Sequence, residues 1–423
     1  MAERRWQVRD ALVLFLFLLS AITFMERANV GIAGASIRNE LGLDNVHLGW
    51  VMSSFLLGYG AFQLLAGWVA VRFGPRRALA FSVMWWAVFS AMTTVVHAGL
   101  AHALILLMVI RFLLGAGESV VFPASNQFVA RWIPQAERGR ANGWIFAGVG
   151  AGAGLTVPLL RWITHAYGWR ASFWFSSLVG VAASIVWYLI ARDTPEQHPL
   201  VTHAELEHIA TTRGDRQAAG AEDGRTLREL LWNRNTLMLT LAYGSFGYVA
   251  WVFFAWFFIY LSEVRGLDLK GNVVFAMVPF CAMTLCCLLG GWINDLAVRR
   301  WGLRWGRCGI AAGALLLTAV FLLLGARIHG PYVASLVLAG GAGALYLSQS
   351  SYWSVSVDLA GRRSGVVSGM MNFGNQAGAA ATASLTPYIA KHYGWVAPFA
   401  VAAVVVAVGG VLWLMIDPNP RRA

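Results

Sequence analysis

Residues 143–173 read GWIFAGVGAGAGLTVPLLRWITHAYGWRASF, and residues 369–399 read GMMNFGNQAGAAATASLTPYIAKHYGWVAPF. A shift of 226 positions lays Gly143, Gly148 and Gly152 on Gly369, Gly374 and Gly378. The same shift lays Tyr167-Gly168-Trp169 and Phe173 on Tyr393-Gly394-Trp395 and Phe399. A shift of 224 then places Gly67 and Trp68 on Gly291 and Trp292. Isolated glycines recur by chance in a chain with 45 of them, but a Tyr-Gly-Trp triplet in register with three glycines and Phe173 marks a duplication.

The composition says what was duplicated. The chain has 423 residues, 58% of them hydrophobic and 12% charged, with a mean hydropathy of +0.61. Soluble domains carry about twice that share of charge. A bilayer span takes ~20 apolar residues, and twelve spans leave about 35 residues for each span with its loop. A large soluble catalytic domain, a disordered chain and a secreted disulfide scaffold are excluded. The four cysteines stand in or beside apolar runs without metal-ligand spacing. No small-residue cleavage site follows the first apolar run, Ala11 to Met25.

Apolar stretches fall near 11–36, 47–71, 78–97, 102–130, 141–164, 171–191, 236–261, 272–296, 308–326, 331–357, 364–390 and 395–416. The reading is an all-α membrane protein of twelve transmembrane helices in two pseudo-symmetric six-helix bundles. Residues 1–192 form the first bundle, 193–235 a cytoplasmic loop with short surface helices, and 236–423 the second. In the loop, Thr202 with Glu205 and Thr226 with Glu229 have capping-box spacing, around a flexible link at 214–225. The net charge of +12 does not point to nucleic acid, because the bases alternate between strong and weak connections. One side carries seventeen Lys/Arg, and the other carries seven: Arg38, Arg161, Arg170, Arg265, Lys270, Arg327 and Lys391. This bias puts both termini in the cytoplasm.

Only four charges lie deep within spans: Glu26 and Arg27 in the first, Arg111 and Glu118 in the fourth. A charge at the bilayer centre costs at least ~3 kcal/mol, so such groups face a cavity or pair. Arg111 and Glu118 are two helical turns apart, about 10 Å, and each needs a partner elsewhere. Glu26 and Arg27 project about 100° apart. On one reading an arginine holds an anion through its planar fork while a carboxylate carries a proton. On the other the four residues are a static lock between two helices.

The segment Gly67-Trp-Val-Ala-Val-Arg72-Phe-Gly74-Pro-Arg76-Arg77 and its repeat, Gly291-Trp-Ile-Asn-Asp295 with Arg299 and Arg300, read as gates. A glycine allows close helix contact, and charges such as Arg72, Arg76, Asp295 and Arg299 can latch one conformation. The same residues also suit ordinary positive-inside flanks. Polar residues inside spans include Tyr59, Gln63, Asn126, Gln127, Ser350, Asn372, Asn375 and Gln376. Most tryptophans read as an interfacial belt, whereas Trp353, beside Ser350 in mid-span, is a pocket candidate.

Three segments together carry a family likeness. They are Met25-Glu26-Arg27-Ala28-Asn29, Arg111-Phe-Leu-Leu-Gly-Ala-Gly-Glu118 with Phe122-Pro123, and Asp193-Thr-Pro-Glu-Gln-His-Pro199 with Glu205. With the Gly67–Arg77 loop, the chain resembles the anion:cation symporter family of the major facilitator superfamily over essentially its whole length. That family includes bacterial galactonate, glucarate and hexuronate transporters and is similar to animal sialic acid and vesicular glutamate carriers. The resemblance implies that Arg27 contacts the substrate carboxylate, that Glu118 carries a proton coupled to Arg111, and that Glu26 stands where sugar-acid members have a titrating aspartate. It also implies that Tyr59, Ser350, Trp353 and Asn372 contact substrate hydroxyls. Four positions depart from the pattern: Glu26 itself, Val71 for an acid in the gate loop, Phe258 for a proline, and Gly148-Val149-Gly150 for a glutamine-type contact. The last makes the pocket less polar and suits a smaller, aromatic or less hydroxylated acid.

The expectation is therefore a secondary active transporter working by alternating access. It would couple protons, without other cofactors, to symport of an organic anion, with a sugar acid (aldonate, aldarate or hexuronate) as substrate class. It would act as a monomer in the bacterial inner membrane. The alternative is a proton-driven antiporter exporting a lipophilic or aromatic compound. An enzyme is disfavoured, since no nucleophile–base set, metal motif or nucleotide loop is present. A receptor would bind without flux.

Overall fold

The computed structural model describes residues 7–43, 45–213, 226–257, 260–266 and 273–419. The 214–225 link, Phe258, Lys270 and the terminal arginines Arg4, Arg5, Arg421 and Arg422 lie outside the described residues. Long helices account for the first half: α1 (Val8–Leu41), α2 (Asn45–Ala61), α3 (Gln63–Thr93), α4 (Ala103–Glu118), α5 (Val121–Trp132), α6 (Arg138–Tyr167) and α7 (Trp169–Ile190). Two short helices follow, α8 (His203–Arg213) and α9 (Leu227–Leu231). The second half holds α10 (Arg234–Trp251), α11 (Val273–Arg304), α12 (Ile310–Arg327), α13 (Pro331–Leu347), α14 (Gln349–Ala360), α15 (Ser364–Tyr393) and α16 (Val396–Leu414).

Among the described residues, eight helical stretches are long and apolar enough to cross a membrane, or nine counting one bent pair over residues 47–93. Two of the eight, Met277–Arg327 and Pro331–Tyr393, run to 51 and 63 residues, twice what one crossing needs. The backbone divides them where the sequence turns back. Gly74 (φ 78°, ψ 159°) breaks α3 and Gly302 (φ 77°, ψ 175°) breaks α11, while the short turn Gly361–Arg363 separates α14 from α15. Divided there, the described residues make twelve apolar segments.

The duplication visible in the sequence is visible in the backbone. Gly168 (φ 82°, ψ 163°) and Gly394 (φ 77°, ψ 163°) end α6 and α15 in the same conformation, one open essentially to glycine alone. Just beyond Gly168, Arg170 donates from both terminal nitrogens to the Glu40 carboxylate at 2.6 and 2.7 Å, tying α7 to the end of α1. Helix partners repeat too. In the first half α1 packs on α6, α2 on α4 and α3 on α7; in the second, α10 packs on α15, α11 on α13 and α12 on α16. The halves meet by exchange, α6 against α11 and α15 against α3.

Glycine makes those crossings possible. A Cβ at Gly67 would strike the Gly365 carbonyl oxygen, and one at Gly143 would lie 2.8 Å from the Cys287 carbonyl. With no hydrophobic drive between helices in lipid, such close backbone approach is what holds them. Large apolar side chains accordingly face outward, among them Leu57, Phe81, Leu178 and Val404. Trp68, Trp162, Trp292 and Trp301 are exposed, but Trp86, Trp132, Trp187 and Trp413 are fully buried, so tryptophan serves the core as well as the surface.

The first and last described segments approach one end of the molecule. Arg9 pairs with Glu137 just before α6 (3.3 Å), and the Asp417 N–H donates to Asn235 at the start of α10. The inter-half loop is fastened at this terminal end. Thr226 and Glu229 make the full capping box. Thr202 makes half of one: its hydroxyl accepts from the Glu205 N–H, but the Glu205 carboxylate accepts from the Arg9 N–H instead. The tertiary contact outbids the local one, joining loop to first helix.

Candidate functional site

The four deep charges meet in crossed pairs between α1 and α4. Arg27 Nε donates to Glu118 Oε1 at 2.6 Å, and Arg111 Nη1 to Glu26 Oε1 at 3.4 Å. Neighbours on α1 thus serve residues two turns apart on α4, as their divergent directions and the reach of arginine allow. Glu26 also accepts from Ser90 Oγ on α3 at 3.0 Å. Burial separates the four. The side chains of Glu26 and Glu118 are 0% exposed and that of Arg111 3%, whereas Arg27 retains 17%. Among the described residues, Arg27 Nη2 and Glu118 Oε2 are buried without a hydrogen-bond partner.

Arg27 borders a cavity of about 660 Å³ between the halves, within the range of small-molecule sites. Three rings lie close to its guanidinium: Cζ is 4.7 Å from the centre of Phe24, 5.4 Å from that of Phe55 and 4.5 Å from that of Tyr59. The lining runs from mid-height toward the end opposite the termini, taking in Gly31 on α1, Pro158 on α6 and Trp251 on α10. A π-helical segment, Val252–Trp256, follows α10 there, and Phe254 within it faces the cavity.

Tyr59, Trp353, Asn372 and Arg111 also line this space. Asn372 Nδ2 donates to Tyr59 OH and Gln63 Oε1, both at 3.1 Å, joining α15 to the first half. Ser350 is fully buried and is not among the lining residues. Its neighbour Gln349 is, because Gln349 and Trp353 stand four apart on one face of α14. Both donate to Tyr243 OH, at 2.8 and 3.2 Å. Gln349 and Tyr243 were not singled out from sequence; the i, i+4 relation to Trp353 is the signal that reaches Gln349. Val149, of the Gly148-Val149-Gly150 segment, adds an apolar patch.

A continuous aromatic ribbon crosses the cavity wall. Ring centres stand 6.1 Å apart from Phe254 to Phe24, 6.5 Å from Phe24 to Phe122, 4.9 Å from Phe122 to Phe146 and 4.7 Å from Phe146 to Trp353.

At the terminal end the halves are latched. Asp295 accepts from the Gly139 N–H at 2.9 Å and the Arg140 N–H at 2.7 Å, and pairs with Arg307 at 3.2 Å. Asp358 pairs with Arg138 at 2.7 Å and with Arg307 at 3.4 Å. Of the four residues expected to gate, Asp295 bridges the halves. Arg76 instead braces its own half: its N–H donates to Asp193 (3.0 Å) and its Nε to the Tyr188 carbonyl (2.9 Å). Arg72 and Arg299 are exposed. Val71, where an acid was expected, packs by Gly365; the Gly365 N–H is accepted by Gln127 Oε1 at 3.2 Å. Gln127 also accepts from Ser364 Oγ (3.0 Å) and donates to the Arg362 carbonyl (2.7 Å). Arg138 and Arg307 were not identified as latches because bases at span ends are commonplace, and Asp358 was read only as an acid at a helix end.

The Major Facilitator Superfamily model matches residues 16–383, with a second match over 296–423. The chain belongs to this superfamily: it is a multi-pass integral membrane protein and a secondary transporter, not an enzyme. A probable sulfoacetate transporter of Cupriavidus necator is 31% identical, over 98% of this chain and 95% of that protein. The D-galactonate transporter of Escherichia coli is 27% identical over 97% and 96%, and the hexuronate transporter of Bacillus subtilis 26% over 90% and 88%. These likenesses are consistent with the anion:cation symporter family. The solved proton:xylose symporter, bound to 6-bromo-6-deoxy-D-glucose, superposes with a TM-score of 0.74 over 96% of this chain and 95% of that one. At 13% identity that match concerns the fold.

Proposed function

We propose that this protein is a proton-coupled symporter of a small organic anion, with both termini in the cytoplasm of a bacterial inner membrane. The observation that carries the reading is the Arg27–Glu118 pair at the cavity edge, with, among the described residues, an unpartnered nitrogen on one and an unpartnered oxygen on the other. An anion arriving at Arg27 competes with Glu118 for the guanidinium. A proton on Glu118 removes the competitor, so anion and proton load together and unload together. The buried Arg111–Glu26 pair holds α1 and α4 in register and offers a second titratable carboxylate. The relatives' names (sulfoacetate, D-galactonate, hexuronate) share an anionic head, which supports the anion if not the rest of the molecule.

The test is proton movement into proteoliposomes with an internal pH dye as acids are added outside. Glu118→Gln should lose proton-driven accumulation and keep anion exchange across the membrane; intact uphill uptake in that variant would overturn the coupling role. The aromatic ribbon also suits the antiport alternative. Competition separates the two: carboxylates displace the ligand of a symporter, and hydrophobic cations that of an exporter.

A further inference from the structure

Taken with the anion-transport reading, on which this step rests, the distribution of charge around the cavity gives the substrate a direction. We propose that Gln376 and Asn375 on α15 select the substrate by the end remote from its anionic head, and that this end is uncharged and hydroxylated.

Charge in the lining is one-sided. Arg27 and Arg111 both belong to the first half, and among the described residues the second half lines the cavity with neutral side chains alone. Arg111 is moreover bonded to Glu26. An anion with its head at Arg27 therefore turns its other end toward a wall without counter-charge. A second anionic group there, as in sulfoacetate, would give up its water and gain no cation, a cost that a hydroxyl is spared. The hydroxyl needs only a hydrogen-bond partner.

Helix α15 supplies such partners. Asn372, Asn375 and Gln376 all line the cavity, and their spacing of three and four residues sets them on one face of the helix. The Asn372 amide nitrogen is taken up by Tyr59 and Gln63. Asn375 and Gln376 differ: both are half-buried, and neither side chain has a hydrogen-bond partner among the described residues. Each amide holds two N–H donors and one carbonyl acceptor, which match a hydroxyl that donates and accepts at once. Val149, where a glutamine-type contact was expected on the first half, offers nothing comparable.

Position relates these amides to the anion's head. A Cβ added at Gly60 would lie 3.7 Å from that of Gln376, so Gln376 stands against α2 one residue beyond Tyr59, whose ring lies beside Arg27. Along α15 it is four residues, about 6 Å, from the Asn372 that bonds Tyr59. A short carbon chain covers that interval. Each end of the substrate is thereby held by a different half.

The test is equilibrium binding by calorimetry to the full-length protein in detergent. Galactonate presents a hydroxylated tail, sulfoacetate a second charge and hexanoate a bare chain. Galactonate should bind about tenfold tighter than either of the others. Gln376→Leu should weaken galactonate about three- to tenfold and leave hexanoate unchanged, and Gln376→Asn, which keeps the amide, should recover part of the loss. An amide that merely joins helices would move all three probes alike. Asn375→Leu is the second variant should the first not fold. Tighter binding of sulfoacetate or hexanoate would overturn the selection by α15 and leave anion binding standing. A proportional loss of all three probes, or indifference of galactonate to both folded variants, would do the same. Folded protein that binds none of the three would overturn both readings.

Discussion

Gln127 and Gly365 are joined as Asp295 and Gly139 are. The Gly365 N–H donates to the Gln127 side chain at 3.2 Å, and the N–H of Gly139, 226 positions earlier, donates to Asp295 at 2.9 Å. Each half thus presents the N–H of an equivalent glycine to the other. One is received by a carboxylate following α11's membrane segment, the other by an amide on α5. Val71, in the place that matches Asp295, has nothing to offer a donor.

Gln127→Ala removes three hydrogen bonds from the closed terminal end and should favour its opening by about 1–3 kcal/mol. Asp295→Ala removes the acceptor of two backbone N–H groups and one of the two carboxylates paired with Arg307, and should cost more, about 2–4 kcal/mol. Spin labels at the exposed positions 72 and 299, in a background without exposed Cys281, report the distance between halves. The long-distance population should grow in both variants, and more in the second.

Gly67→Val attacks the same closure sterically. Its side chain would meet the Gly365 carbonyl, an overpacking cost of about 1–3 kcal/mol borne only where the halves touch. Transport should fall while the same labels report opening; a normal closed distance would show that α3 and α15 can separate at no cost.

Arg27→Lys retains the charge and loses the fork. Anion affinity should drop about tenfold or more, because an ammonium cannot donate two parallel hydrogen bonds to one carboxylate. Arg111→Lys should instead lower thermal stability more than affinity, since its head is 3% exposed and bonded to Glu26. Calorimetry and thermal unfolding on both variants separate the two arginines.

Binding should strengthen as pH falls, because a proton on Glu118 releases Arg27 to the anion. The slope of log Kd against pH should flatten in Glu118→Gln. A slope unchanged there would move the coupling proton to Glu26, which Glu26→Gln then checks.

Spans were legible in the sequence because a bilayer demands some twenty apolar residues in a row, and little else reads that way. The deep charges were legible for the complementary reason that they are costly there. Their crossed pairing was not, since it depends on how α1 and α4 lie against each other. Register decided the rest: Ser350 and Gln349 differ by one position, and 100° of rotation turned the expected contact away from the cavity and its neighbour toward it. Among the gate residues, Asp295 stood out as an acid in a basic flank. Gln127 resembled any intramembrane amide until Val71 was seen to leave Gly365 to it.

The two fastenings, one ionic and one neutral, answer to different surroundings. The carboxylates of Asp295 and Asp358 and the guanidinium of Arg307 are buried, so salt reaches the ionic fastening only once this end begins to part, and the neutral amide of Gln127 gives it nothing to screen. A door with one magnetic catch and one plain wooden peg does not release along both edges together. Salt should therefore slow reclosure along the edge where α6 meets α11 and leave the crossing of α3 with α15 as the pivot.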